Sequence, residues 1–254
     1  MTYTLLQHTL PLFTTKRMAI KSIIHELLWF LKGSTDGQVL LDKKVNIWRD
    51  NGSREFLDSR GLNHYKENDL GPIYGFQWRH FGAEYKDCKS DYSNQGIDQL
   101  KEAIETIKSN PNDRRIIVVA WNPSDLKKMA LPPCHLFFQF YVEDNRYLDC
   151  LMYQRSCDMA LGVPFNVTSY SILTHIIAKL TNLEARHFIH TLGNYHVYEN
   201  HIDNLRKQVE LEPKEFPKLE IVDRGQKKVE DFVIDDFIIQ DYESHPRIVY
   251  DMVV

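Results

Sequence analysis

No stretch of this 254-residue chain approaches the roughly 20 consecutive apolar residues that a membrane-spanning helix needs. No long run of one charge sign occurs, and the formal net charge is only −4, which argues against a membrane-surface protein or one dedicated to nucleic acid. Repeats, low-complexity tracts and Gly/Ser linkers are missing, so residues 1–254 read as one domain. Cysteine is scarce. Cys88, Cys134, Cys150 and Cys157 form no C-x-x-C pair and no metal-ligand spacing, so no metal is expected. With no signal peptide in view, free thiols in a reducing compartment are expected, cytoplasmic or nuclear.

What is present is ample apolar content, 43% of residues, patterned for an α+β fold with a substantial core. Ile20, Ile23, Ile24, Leu27, Leu28 and Leu31 predict a helix over about 17–32, stopped by Gly33. Residues 49–75 are polar and rich in turn formers. Ile97, Leu100, Ile104 and Ile107 predict a second helix ending at Asn110-Pro111. Residues 116–121 read as a buried strand, and 136–142 with 147–153 as a hairpin. An almost wholly apolar helix is predicted over 167–181. The last forty residues alternate short β-like runs with charge.

Candidate chemistry starts at Cys134. Its prefix Pro132-Pro133 and the alternating run after it predict a thiol anchored at a strand start. A lone cysteine is more often inert and buried; a nearby cation such as Arg155 would favour the reactive thiolate. Gln154-Arg155-Ser156-Cys157-Asp158 could bring a guanidinium, a hydroxyl and a carboxylate beside it, and Asn166 an amide. Arg114-Arg115 lead directly into an apolar strand, an awkward place for paired cations unless an anion such as phosphate neutralises them. Glu26 sits at the edge of the first helix's apolar stripe, where partial burial would raise its pKa toward proton-transfer values. His196 and Tyr198 point the same way if extended. Trp48 and Asn51 alone could be a packed aromatic and a turn former.

Together these segments closely resemble the thymidylate synthase family. The resemblance runs from about Leu10 to Val254 through Thr14-Thr15-Lys16-Arg17, Glu26-Leu27-Leu28-Trp29-Phe30 and Gly71-Pro72-Ile73-Tyr74-Gly75-Phe76-Gln77-Trp78. It continues through Asp113-Arg114-Arg115, Pro132-Pro133-Cys134-His135, Gln154-Arg155-Ser156-Cys157-Asp158, Leu161-Gly162-Val163-Pro164-Phe165-Asn166, His190-Thr191-Leu192-Gly193 and His196-Val197-Tyr198. So many ordered motifs are highly specific.

The resemblance implies a large mixed β-sheet flanked by helices, with the sheet packing at a homodimer interface. It implies reductive methylation of dUMP by 5,10-methylenetetrahydrofolate. By motif position, Cys134 attacks uracil C6, Glu26 relays protons through water, Tyr74 assists removal of the C5 proton, and His135 shapes the pocket. Asn166 reads the pyrimidine edge; an acidic residue there would mark the related dCMP hydroxymethylases. Gln154 and Asp158 belong to the dUMP site, and His196 with Tyr198 bind the ribose. Arg155 and Ser156 bind the phosphate, joined by Arg114 and Arg115 from the other subunit. Folate-side positions are Lys16, Ile47, Trp48, Asn51, Asp158, Leu161, Gly162, Phe165 and the tail residues Met252 and Val253.

Departures from the family pattern also stand out. The resemblance implies an upstream Arg-Thr-Gly-Thr-type loop whose arginine clamps the phosphate, and the chain begins downstream of it, as if truncated. Ala19 and Ile20 replace bulkier residues, and Asn194 stands where an Asp is usual. The alternative reading is therefore a catalytically impaired nucleotide- or folate-binding paralogue, or a dimer partner. A pyrimidine hydroxymethylase is a third reading, whose cytosine version Asn166 opposes.

Overall fold

The alternating run after Cys134 becomes the centre of a five-stranded sheet. In this computed structural model, which describes residues 1–252, the strands are β1 (Thr2–Thr4), β2 (Ile117–Val119), β3 (His135–Glu143), β4 (Tyr147–Asp158) and β5 (Glu184–His196). Their spatial order is β1-β5-β4-β3-β2, with β4 and β5 parallel and the other neighbours antiparallel. The predicted hairpin is β3–β4. Asp144 and Asn145 turn it at φ 54° and 50°, a left-handed pair that short polar side chains tolerate.

β4 runs five residues beyond its expected end because β5 pairs with it from Tyr147↔Glu184 to Asp158↔His196. The periodicity reading did not anticipate β5, since Arg186, His187 and His190 break its apolar pattern. Asp149 compensates: its carboxylate accepts from Arg186 Nε at 2.9 Å and from the His187 N–H at 3.1 Å.

Seven helices complete the described elements of this class: α1 (Ile20–Leu31), α2 (Gln38–Leu41), α3 (Arg54–Ser59), α4 (Tyr74–His80), α5 (Gln99–Ser109), α6 (Gly162–Thr181) and α7 (Ile202–Val209). Two further strands, β6 (Lys218–Ile221) and β7 (Phe237–Gln240), pair separately. α1 begins at Ile20 rather than near Arg17, because the Met18 N–H is held by the Tyr242 hydroxyl at 3.0 Å. It ends as expected, with Gly33 at φ +67° just past the Lys32 cap. α6 begins five residues earlier than predicted. Pro164 falls in its first turn, where backbone N–H groups have no helical partner to lose.

α6 packs across one face of the sheet, over Phe138, Phe140, Met152 and Phe188, all fully buried. Its interior Ser171 and Thr174 hydroxyls each donate to the carbonyl four residues back at 2.7 Å, which satisfies polar groups in an apolar setting. α4 approaches α1 closely at Gly75, where a Cβ would meet the Phe30 carbonyl oxygen at 2.6 Å. That approach carries Tyr74 to the cleft beside Glu26. The opposite sheet face, with Ile117, Gln139 and Tyr141, remains open, and Tyr141 is 56% exposed. Among the described residues no helix is long and apolar enough to cross a membrane.

Candidate active site

Cys134 lies one residue before β3, and both of its backbone polar groups are committed. Its N–H donates to the Tyr74 hydroxyl at 2.7 Å, and its carbonyl accepts from the Arg155 N–H at 2.8 Å. The thiol therefore has a fixed platform, as the Pro-Pro prefix suggests. All four cysteines are free thiols. Cys134 opens into a cleft of about 480 Å³.

Glu26 enters the cleft from α1. It is buried more deeply than an edge position implies, and burial pushes its carboxyl up to about 7. A hydrogen bond from Trp48 Nε1 to Oε1, 2.8 Å long, pulls the other way by stabilising the charged form. A carboxyl poised near neutrality can both give and take a proton. Burial raises the Tyr74 phenol well above its ordinary range. Because that hydroxyl accepts from Cys134, its own proton remains free to be donated. His135 stacks on Tyr74, ring centroids 4.2 Å apart, and its Nδ1 shares a 2.7 Å hydrogen bond with the Tyr170 hydroxyl. Burial, reinforced by nearby His190, brings His135 down to about 3, so the ring is neutral at pH 7.

β4 supplies the next wall. Gln154 is oriented twice, by His190 Nε2 at 2.9 Å on its Oε1 and by its own donation to the Ser156 carbonyl at 2.9 Å. Gly193 on β5 permits this approach, since a Cβ there would lie 2.8 Å from the Tyr153 hydroxyl and 3.0 Å from the Gln154 carbonyl. The Arg155 guanidinium, expected beside the thiol, is committed to the backbone: Nε and Nη2 donate to the Pro133 and Pro132 carbonyls at 2.9 and 2.8 Å, and the group lies 5.5 Å from the Trp121 ring centroid. Asp158 accepts from the Ala160 N–H at 2.9 Å and from the Gly162 N–H at 3.4 Å, which ties the end of β4 to the start of α6. Asn166 projects from that helix's first turns.

The cleft gathers most of the sequence-predicted residues: Glu26, Ile47, Trp48, Asn51, Tyr74, Cys134, His135, Gln154, Arg155, Ser156, Asp158, Leu161, Gly162, Phe165, Asn166, His196, Tyr198 and Met252. His196 and Tyr198 do face the same way, rings 5.2 Å apart. Three others are placed elsewhere. Arg114 and Arg115 are exposed on the segment before β2, where the Arg115 guanidinium lies 3.5 Å from the Asp113 carboxylate. Lys16 is buried behind the wall, donating to the Ala160 carbonyl and lying 4.5 Å from the Tyr250 ring centroid, and burial lowers it to about 8. Val253 lies outside the described residues.

Phe30 and Leu131 also line the cleft and were not among the sequence candidates. Phe30 is four residues after Glu26 on α1, so helical spacing could have found it. Leu131 offered no comparable signal. Among the described residues no group of three or more His, Cys, Asp or Glu side chains could hold a metal ion.

A thiol on a fixed platform, a near-neutral buried carboxyl and convergent amides are arranged for covalent chemistry on a planar, hydrogen-bonding substrate. The family model described as thymidylate synthase matches residues 1–254. Thymidylate synthase of Homo sapiens is 57% identical over 249 residues, covering 98% of this chain and 79% of that protein. The Candida albicans thymidylate synthase is 56% identical over 259 residues, covering 94% and 82%. A bifunctional dihydrofolate reductase-thymidylate synthase of Paramecium tetraurelia is 54% identical over 249 residues; it matches 98% of this chain, which spans 53% of that longer protein. The chain belongs to the thymidylate synthase family.

Proposed function

We propose that this chain makes dTMP with Cys134 as its nucleophile. It is a methyltransferase of the thymidylate synthase class, converting dUMP to dTMP with 5,10-methylenetetrahydrofolate as co-substrate. The observation that carries the residue-level reading is the shared cleft, where Cys134, Glu26, Tyr74 and Asn166 all open onto one volume.

Cys134 Sγ, as thiolate, adds to uracil C6, and the displaced electron pair makes C5 nucleophilic toward the one-carbon unit. Asn166 pairs its amide with the N3–H and O4 edge, which stabilises charge developing on O4. Tyr74, pinned by the Cys134 N–H, donates its own proton to a water molecule and so orients that water to take the C5 proton. Glu26 exchanges protons with the pyrimidine through water. Loss of Cys134 from C6 restores the double bond. The folate supplies the carbon and the hydride. Its side of the cleft is largely apolar, with Ile47, Trp48, Leu161 and Phe165, plus Asn51 and Asp158 for polar edges. These residues fit a flat heteroaromatic with hydrogen-bonding edges.

Arg155 and Ser156 hold the phosphate, His196 and Tyr198 the ribose. A second copy of the chain packs on the open sheet face and contributes its Arg114 and Arg115 to the phosphate. Their exposure away from their own cleft, and the exposed Ile117 and Tyr141 beside them, support this. Dihydrofolate formation, followed by absorbance with dUMP and methylenetetrahydrofolate, is the test. Turnover by the purified protein, lost in Cys134→Ala, is expected. No turnover at saturating dUMP would overturn the proposal.

A further inference from the structure

His201 is fully buried, just before α7, and belongs to none of the groups assigned above. Its Nε2 lies 2.7 Å from the Asp251 carbonyl oxygen, so the ring donates a hydrogen bond to the C-terminal segment. Its Nδ1 has no hydrogen-bond partner, yet it is buried and lies 3.8 Å from Asp158 Oδ1. Asp158 lines the cleft; so does Met252, the residue after Asp251. One imidazole thus spans the tail and a carboxylate of the candidate folate side.

The surroundings favour a built device over accidental packing. His201, Asn204 and Gln208 recur at i, i+3 and i+7, one polar stripe along α7. Asn204 Nδ2 donates to the Val249 carbonyl at 2.9 Å, and Gln208 Oε1 accepts from the Tyr250 hydroxyl at 2.6 Å. Each successive tail residue from Val249 to Asp251 is therefore held by one member of the stripe. The Tyr198 and Tyr250 rings flank His201 edge-on, centroids 5.5 and 5.2 Å away, which fixes the imidazole plane. An unpaired buried donor or acceptor is costly, so the Nδ1 edge facing Asp158 needs a role.

We propose that His201 is a positioning residue that couples the C-terminal tail to Asp158, so that the tail and the carboxylate are set in one register against the one-carbon donor. This rests on the reading that Asp158 and the tail serve the folate. Two amide variants separate the two edges. His201→Gln can keep a donor toward the Asp251 carbonyl while losing the Nδ1 edge, and His201→Asn does the reverse. Asn204→Ala, on a partly exposed position, weakens the tail grip without disturbing the buried ring.

Loss of a tail hydrogen bond in His201→Asn or Asn204→Ala, or of the 3.8 Å contact with Asp158 in His201→Gln, should raise the KM for methylenetetrahydrofolate about threefold to tenfold, with dUMP affinity within about twofold of the parent. In a chain ending at Tyr250, His201→Asn should add nothing further to the folate defect, because its target is gone. Unchanged folate KM in both His201 variants, with Asp158→Ala still raising it, would overturn the coupling alone. A parallel loss of dUMP and folate binding would reduce His201 to a structural role and also overturn it. An Asp158→Ala chain with normal folate KM would bring down the folate-side reading and the coupling with it.

Discussion

On the inner wall of the cleft, Tyr74, His135 and Glu26 are 3%, 6% and 8% exposed, and each is held by a hydrogen bond to a neighbour. On the segment before β2, Arg114 and Arg115 stand in solvent, and the Arg115 side chain is 88% exposed. The inner groups are set by one chain's core, so their geometry exists before any ligand arrives. The outer cations have no such support. The contrast teaches that the chemistry and the phosphate grip are organised at different levels: the first by folding, the second, under the proposed function, by association. Mutations at the two places should therefore fail differently.

The largest effect is expected at the thiol. Cys134→Ala removes the covalent route and should lower turnover on the order of 10⁶-fold, as loss of a nucleophile does elsewhere, while dUMP binding survives. Single-turnover assays with a parallel dUMP titration check both halves. Glu26→Gln is next. It keeps the Trp48 hydrogen bond but cannot exchange a proton, so kcat should fall about 10²- to 10⁴-fold. The same variant has a stability signature. Glu26 holds its proton more tightly folded, near 7, than its ordinary 4.5. Its favourable contribution is full below about 4.5 and is lost as pH rises through about 7. The Gln variant does not suffer that loss, so its Tm relative to the parent should be higher at pH 8.5 than at pH 5.5. A constant difference across that range would contradict the buried carboxyl.

Arg114→Ala with Arg115→Ala tests the other side of the contrast. Hydrogen bonds to a charged group contribute about 1.5–3 kcal/mol, so KM for dUMP should rise roughly ten- to a hundred-fold. Thermal stability should hardly change, because both side chains are exposed. Mixed with the Cys134→Ala chain, the double variant should recover activity, because one hybrid site would hold an intact thiol and intact arginines. No recovery in mixtures shown to exchange subunits would place both functions in one chain.

The same contrast governs what the sequence discloses. Helical spacing announced α1 and α5, and alternation announced the β3–β4 hairpin, because each buries a regular apolar face. β5 escaped, since Arg186, His187 and His190 break its pattern, and only pairing with β4 and the Asp149 carboxylate hold it extended. The start of α6 escaped because Pro164 looks like a breaker unless the first turn is already known. Cys134, Glu26 and Asn166 were legible as motifs, but not the depth of Glu26, whose carboxylate meets Trp48, itself packed on Phe30 and Tyr74 from other parts of the fold. His201 gave no signal at all. Its partners are 43 and 50 residues away in the chain, and only the folded path of the tail brings them together.

The smallest and most discriminating prediction concerns Trp48. Its indole N–H donates to Glu26 at 2.8 Å and stabilises the carboxylate, holding the Glu26 pKa lower than burial alone would set it. Trp48→Phe keeps an aromatic ring against Phe30 and Tyr74 but removes the donor. The desolvation remains and its compensation disappears, so the Glu26 pKa must move upward from about 7. A pH profile of kcat governed by Glu26 should shift its inflection to the alkaline side by about one unit, the change expected if the hydrogen bond contributes roughly 1.4 kcal/mol. If Trp48 instead acted only as a folate-side surface, the variant would raise the folate KM and leave the inflection in place. A shift toward acid would show that burial is not the dominant influence on Glu26, and the inner wall would lose its claim to be organised by the fold alone.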